Sequence, residues 1–116
     1  MQSPARVGEV AGNVGEMKAR LGSTVLAEAP EDRLVQIEGN WYFPPDSVVD
    51  GVLVASPTPY TCPWKGVCQY YTVVADGQEL PDRAWAYPHP YPTAIDRVGV
   101  DFSGYVAFWK EVAVGD

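Results

Sequence analysis

Val67-Cys68-Gln69-Tyr70-Tyr71-Thr72-Val73-Val74-Ala75 is the stretch of the sequence that most clearly predicts a β-strand. Most of its residues are β-branched or aromatic, and such residues pack well on a pleated surface. Successive side chains of a strand point to opposite faces, and both sets of alternating residues are largely apolar here. We therefore expect this strand inside a sheet that is covered on both sides.

Shorter runs of the same kind lie on either side of this stretch. The expected strands are Met17–Leu21, Thr24–Ala27, Leu34–Glu38, Trp41–Phe43, Val52–Ala55, Arg83–Tyr87, Tyr105–Trp109 and Val112–Val114. Tight turns are expected at Gly22-Ser23, Gly39-Asn40 and Asp76-Gly77, where residues that tolerate positive φ stand between the runs. The pattern predicts a mostly β domain with a complex, strongly bent antiparallel sheet.

Helical segments are expected to be short. Asp46 or Ser47 is positioned to cap a single helical turn after Pro44-Pro45, and Thr93 to cap a short helix that runs toward Val98. The proline-rich segment 88–92 between them is expected to be an irregular, stiff crossing.

Composition limits the organisation and the possible partners. The chain has 116 residues, of which 47% are hydrophobic, enough for one core. We expect a flexible N-terminal arm over residues 1–16 and a single β domain over 17–116. A net charge of -7 with scattered Lys and Arg argues against nucleic acid as the partner. No leader-like or bilayer-spanning apolar run is present, so a bacterial-type cytoplasmic protein is expected, with no membrane partner.

The two cysteines, Cys62 and Cys68, are too few for a secreted disulfide framework or an all-cysteine zinc site. No structural zinc, no other metal and no cofactor is therefore expected. Cys62 lies in the turn segment 61–66, three residues before Lys65, and a nearby cation favours a thiolate. It is either a nucleophile or a small buried residue in a tight loop, while Cys68 is expected in the core.

Lys65 is one of three lysines and is followed by Gly66, which allows close approach of a ligand or of backbone. It either holds an anion or rests its stem on Trp64 with the ammonium in water. Glu38 and Asp46 flank the Trp41–Phe43 run, and each is a candidate base, a partner for Lys65 or a solvated carboxylate.

Further candidates come from the aromatic runs and the single histidine. His89 stands between two prolines, as an exposed loop residue or a proton shuttle. The aromatic residues expected either to line a pocket or to fill the core are Tyr42, Tyr70, Trp85 and Tyr87.

Four ordered segments carry a family resemblance: residues 38–44 (Glu-Gly-Asn-Trp-Tyr-Phe-Pro), 61–66 (Thr-Cys-Pro-Trp-Lys-Gly), 85–90 (Trp-Ala-Tyr-Pro-His-Pro) and 104–108 (Gly-Tyr-Val-Ala-Phe). In these the chain resembles the small bacterial domain-of-unknown-function family four-two-seven, which carries a nucleotidyltransferase-like label. The resemblance implies a mostly β domain similar to β-tent folds without their zinc-binding cysteine pairs. Ala29 and Pro45 depart from the pattern, where a serine and a charged residue are expected.

The nucleotidyltransferase label finds no support in the residues, since neither paired aspartates after a Gly-Ser turn nor a phosphate-cradling Gly-rich loop is present. Instead, the segments 41–46, 61–66 and 85–89 are expected to form one aromatic pocket for a small, anionic molecule near Lys65. Transfer or hydrolysis with Cys62 as nucleophile or Glu38 as base is the catalytic version. The alternative is a protein-binding or homodimerisation module built on exposed aromatic residues.

Overall fold

Two antiparallel sheets dominate the computed structural model, which describes residues 15–116. The strands are β1 (Glu16–Leu21), β2 (Thr24–Pro30), β3 (Val35–Ile37), β4 (Asn40–Phe43), β5 (Leu53–Cys62), β6 (Gly66–Ala75), β7 (Gln78–Ala86), β8 (Val106–Phe108) and β9 (Ala113–Gly115). One sheet has the order β9-β1-β2 and the other β3-β4-β8-β7-β6-β5. The helical elements are α1 (Pro92–Val98) and two 3-10 turns, Glu31–Arg33 and Pro45–Ser47. The predicted mostly β single domain with short helical turns is confirmed.

The six-stranded sheet is buried on both faces. Neighbouring residues in a strand point to opposite sides, and in β4 Tyr42 and Phe43 are both fully buried, in different clusters. The first cluster lies between the two sheets and includes Phe43, Ala84, Ala86, Val106 and Phe108 with residues of β1 and β2. The second lies on the opposite face and includes Tyr42, Cys68, Trp85, Tyr87, Ala94, Phe102 and Ala107.

The strand that the sequence predicts most clearly is an interior strand of this sheet. β6 pairs with β5 on one side and with β7 on the other. Cys68 near its start is buried in the second cluster and Val73 near its end in the first, with a register shift between Tyr71 and Val73 in the pairing with β7. The expected placement inside the sheet is therefore confirmed.

The turn between β3 and β4 lies one residue earlier than expected. Ile37 pairs with Asn40, so the two loop residues are Glu38 and Gly39, with φ of 55° and 83°. The predicted Gly39-Asn40 loop is wrong because Asn40 begins β4. A two-residue hairpin loop of this kind needs positive φ at both central positions, and Glu38 is a non-glycine residue that adopts it.

β5 is longer than the predicted Val52–Ala55 strand. It continues to Cys62 through Pro57 and Pro59, because β5 is the edge strand of its sheet and a missing N–H on an edge can face solvent without loss of a ladder bond. The pairing shifts register between Ala55 and Pro59. The segment 57–62 is therefore part of a strand, beyond the predicted strand end at Ala55, and the predicted turn segment 61–66 begins two residues too early.

The two capping predictions are also wrong. Tyr91 precedes α1 and Pro92 occupies its first turn, where a proline has no hydrogen bond to lose, so Thr93 lies inside the helix. Pro44 precedes the 3-10 turn Pro45–Ser47, which contains both Asp46 and Ser47. Neither helix start has a side-chain cap.

The expected N-terminal arm, residues 1–16, falls mostly on residues 1–14, which lie outside the described part of the chain, and Glu16 is the first residue of β1. Within residues 15–116 no helix is both long and apolar enough to cross a bilayer.

Phe43→Ala tests the packing between the two sheets. The ring is fully buried and lies 5.8 Å, centroid to centroid, from that of Phe108. Loss of the ring leaves a cavity between the sheets, and we expect the free energy of unfolding in urea to fall by about 3–5 kcal/mol. The exposed Val54→Ala is the matched control and should change it by less than about 0.5 kcal/mol. Equal effects of the two substitutions would contradict this packing.

Candidate functional site

A cleft of about 190 Å³ opens on the face of the six-stranded sheet that carries the second cluster. Its lining residues are Glu38, Asn40, Tyr42, Tyr60, Lys65, Cys68, Tyr70, Trp85, Tyr87 and Trp109. Pockets for drug-sized ligands have volumes of roughly 300–1,000 Å³. The cleft is therefore suited to a smaller molecule.

Strand pairing explains why these side chains meet. Tyr60 of β5 is opposite Cys68 of β6, and Tyr70 of β6 is opposite Trp85 of β7. Trp85 is in turn opposite Ala107 of β8, which is opposite Tyr42 of β4. Directly opposed residues share a face of the sheet, so the small Ala107 allows the side chains of Tyr42 and Trp85 to meet across it.

Lys65 is the buried cation of the cleft. It ends the three-residue loop between β5 and β6 and is only 4% exposed. Its Nζ lies 5.1 Å from the ring centroids of both Trp64 and Tyr87, within the range of cation–π attraction. Its backbone carbonyl accepts a hydrogen bond of 3.0 Å from the Tyr91 amide, which ties the loop to the segment before α1.

Gly66 makes this loop geometry possible. Its φ is 116°, in a region that side chains disfavour, and a Cβ there would lie 3.4 Å from the carbonyl oxygen of His89 and 3.6 Å from the Tyr91 amide. The close approach that the sequence left open is therefore an approach of the chain's own backbone.

Glu38 neutralises the Lys65 ammonium and also lines the cleft. Nζ donates a hydrogen bond to Oε1 of Glu38, whose side chain is 55% exposed. This bond and the positive charge of Lys65, with smaller contributions from the Trp64 indole and from Arg97, hold the pKa of Glu38 below its ordinary value despite some desolvation. The carboxylate is therefore ionised at neutral pH. The guanidinium of Arg97 lies 4.4 Å from the Trp64 ring, so Trp64 is close to both cations.

The aromatic walls are rigid and neutral. Trp85 Nε1 donates a 3.0 Å hydrogen bond to the buried Tyr42 hydroxyl, which satisfies both groups. Burial raises the pKa of Tyr42 to about 12 and also raises that of Tyr87. Both phenols therefore stay protonated at physiological pH, so they offer rings and hydroxyls to a ligand but no negative charge.

The two thiols differ in their relation to the cleft. Cys68 lines it, but burial raises its pKa to about 11, which leaves it a thiol at neutral pH. Cys62 is buried in the second cluster and lies outside the lining. Both cysteines are free. The role of Cys62 as a nucleophile stays a prediction.

The structure brings together most of the predicted site residues. Those that line the cleft are Glu38, Lys65, Tyr42, Tyr70, Trp85 and Tyr87, and Trp64 contacts Lys65 from the side. Asp46 lies apart and forms an exposed 2.9 Å ion pair with Arg33. His89 is exposed on its loop.

Sequence reasoning missed four lining residues: Asn40, Tyr60, Cys68 and Trp109. Tyr60 lies beyond Ala55, the predicted end of its strand, so its strand position was not predicted. Cys68 was assigned to the core, although the alternation of β6 places it on the same face as Tyr70. That alternation was the available signal.

Among the described residues there is no group of three or more His, Cys, Asp or Glu side chains that could hold a metal ion.

A family model described as a domain of unknown function (DUF427), which carries a nucleotidyltransferase-like name, matches residues 10–115. No curated protein matches the chain.

Glu38→Gln tests the ion pair through its pH dependence. At neutral pH the substitution removes the ion pair and should lower the free energy of unfolding. The loss should be only about 1 kcal/mol, because solvent screens the exposed carboxylate. A lowered pKa in the folded state means that this stabilisation is present above the ordinary value of 4.5 and is lost as the pH falls through the folded value. The difference between wild type and variant in urea unfolding should therefore shrink below that pH. The exposed Glu79→Gln is the control, and a Glu38 difference undiminished in acid would contradict the pairing.

Thiol labelling tests whether either cysteine is reactive in the folded protein. Both are buried. We expect Ellman's reagent to modify the native protein at least about a hundredfold more slowly than the urea-unfolded chain, with two thiols reacting after unfolding. Rapid labelling of one native cysteine, identified by peptide mass, would contradict this expectation, and labelling at Cys62 would support its predicted role as a nucleophile.

Proposed function

The chain belongs to the domain-of-unknown-function family DUF427, and from this premise, which leaves the activity open, we propose that it binds a small anionic molecule in the aromatic cleft. The observation that carries this proposal is the Lys65 ammonium, which is held in the cleft wall between two aromatic rings. A buried lysine with a fixed position is suited to recognise a carboxylate or another small anion.

The Lys65 ammonium has N–H donors in addition to the one that binds Glu38. Lysine carries three N–H groups, and one of them donates to Glu38. An anion in the cleft would accept from another, so that Lys65 would contact both Glu38 and the ligand. Asn40, which also lines the cleft, offers amide donors and an acceptor to the same ligand.

The remaining walls favour an apolar body behind the anionic group. Tyr42, Trp85 and Tyr87 are buried and neutral, so they supply apolar ring surface to a ligand. Few polar groups among aromatic walls is the usual composition of a small-molecule site. The volume of about 190 Å³ restricts the ligand to the size of a small metabolite.

Glu38 is the residue we propose for any chemistry that follows binding. Its carboxylate is ionised and lines the cleft, so a transfer or hydrolysis reaction with Glu38 as general base is the catalytic version of this proposal. Cys62 as the nucleophile has less support, because its side chain is buried outside the lining.

We place this function in the cytoplasm. Both cysteines are free, and unpaired cysteines are the norm in a reducing compartment.

A second candidate function is a homodimerisation module. Three apolar side chains on the hairpin of β5 and β6 are largely exposed: Val54 (53%), Tyr60 (47%) and Val67 (63%). Exposed apolar residues on an edge hairpin favour contact with another chain. A mass in light scattering that rises with concentration, and returns to that of the monomer in Val67→Lys, would support this candidate.

Lys65→Met tests anion binding directly. Methionine keeps the length and apolar stem but lacks the charge, and we expect it to abolish the thermal stabilisation that small carboxylates give the wild type. Lys18→Met, on the other sheet, is the matched control and should retain the stabilisation. Circular dichroism confirms that each variant is folded. Carboxylate-induced shifts of equal size in wild type and Lys65→Met would contradict the proposed site, as would the absence of any shift in the wild type.

A further inference from the structure

We propose that the ligand is a zwitterion, whose carboxylate contacts Lys65 and whose methylated ammonium group lies against Tyr60, Trp85 and Trp109 farther along the cleft. This inference rests on the proposed anion site and adds the chemical class of the ligand. It follows from three features of the cleft: the arrangement of its rings, the behaviour of those rings toward cations, and the distribution of charge along it.

The rings form a corner. Trp85 stands at 90° to Tyr42 and at 71° to Trp109, with centroid separations of 6.2 Å and 5.3 Å. Tyr60 of the edge strand and Trp109 are 47% and 38% exposed, although both line the cleft. Rings at right angles around a small volume, with exposed rings at its mouth, give the geometry in which aromatic side chains surround a quaternary ammonium group.

The rings around this cleft already attract the protein's own cations. Lys65 lies 5.1 Å from Trp64 and Tyr87, and the exposed Lys110 places its Nζ 4.7 Å from the centroid of Trp109. Lys110 therefore shows that a cation reaches the ring of Trp109 at the mouth. A methylated ammonium group sheds its hydration more readily than a lysine ammonium and gains more from the same rings.

The charged side chains among the lining residues are Lys65 and Glu38, which form one ion pair. Lys65 lies beside Tyr87, whereas Tyr60, Trp85 and Trp109 offer ring faces that carry no charge of their own. The Asp82 carbonyl accepts a 2.6 Å hydrogen bond from Trp109 Nε1, and its Oδ2 accepts one of 2.7 Å from Thr58. The Asp82 backbone thereby fixes the Trp109 ring, while the Asp82 carboxylate lies outside the lining of the cleft and near Arg83 and Lys110.

The pKa of Asp82 shows that it carries a charge at neutral pH, close to the cleft although outside its lining. Hydrogen bonds from Ser56 and Thr58 lower the pKa of Asp82, so it is ionised at neutral pH. Burial raises the pKa of Tyr70, and the charge of Asp82 contributes to the shift, so this carboxylate acts electrostatically on a cleft-lining residue.

A pure cation and a pure anion each fit only part of the cleft. A bare cation near Lys65 is repelled, whereas a ligand with only a carboxylate leaves the aromatic corner filled by apolar groups or water. A zwitterion places its carboxylate against Lys65 and its cation against the ring faces, and the net charge of -7 favours the approach of its cationic end.

Pairs of isosteric probes test the inference. Glycine betaine and 3,3-dimethylbutanoate have the same shape, as do 4-trimethylammoniobutanoate and 5,5-dimethylhexanoate, and each pair differs only in a nitrogen cation against a carbon. Calorimetric titration of the full chain should show the better-fitting zwitterion binding about tenfold more tightly than its neutral-tailed partner. Tyr60→Leu and Trp109→Leu should each reduce the ratio to about threefold or less, while Lys18→Met should leave it unchanged.

The outcomes separate this inference from the proposed function. Neutral-tailed carboxylates that bind as tightly as both zwitterions, and lose binding in Lys65→Met, would overturn the cation site and leave the anion site standing. A zwitterion preference that both leucine variants retain would also overturn the aromatic assignment. If no probe of either kind binds the wild type, the anion site and the cation site are both wrong.

Discussion

Burial of the six-stranded sheet on both faces is the constraint on which the site depends. Each interior strand must supply one alternating set of side chains to the core between the sheets and the other set to the opposite face. The first set is aliphatic, with Phe43 and Phe108, and packs on β1 and β2. The second set is aromatic, and it is only partly covered by α1 and the loops around Phe102. The cleft is the part of this second face that remains open, so its walls are held by the same strands that hold the core.

The electrostatics of the site follow from the position of Lys65 in a tight hairpin loop. Gly66 allows the loop to pack on the Tyr91 backbone, which directs Lys65 inward between Trp64 and Tyr87. A charge buried to this extent requires a partner, and the second hairpin supplies Glu38 from a turn position with positive φ. Strained backbone at a residue of the candidate site is consistent with a functional requirement for that side chain. Two independent hairpins thus converge on one ion pair at the edge of an aromatic cleft.

Local pattern predicted much of this architecture. The alternation in residues 67–75 was sufficient to predict an interior strand. The sequence segments around Glu38, Lys65 and Trp85 were sufficient to predict residues that line one cleft. The division into two sheets was not predictable, because strand order depends on long-range pairing such as that of β4 with β8. The prolines at 57 and 59 hid the length of β5, since their tolerance depends on an edge position. Tyr60 and Trp109 were missed because their places in the cleft follow from long-range contacts and not from local sequence.

The central claim is that a small anion binds in contact with the Lys65 ammonium. The chain has only three lysines, Lys18, Lys65 and Lys110, so selective ¹⁵N labelling of lysine gives a simple spectrum of side-chain Nζ resonances that Lys65→Met assigns. Titration with a small carboxylate should shift the Lys65 Nζ resonance in a saturable manner and leave that of Lys18 unchanged. A Lys65 resonance that stays in place up to the highest carboxylate concentration, or moves no more than that of Lys18, would contradict the account.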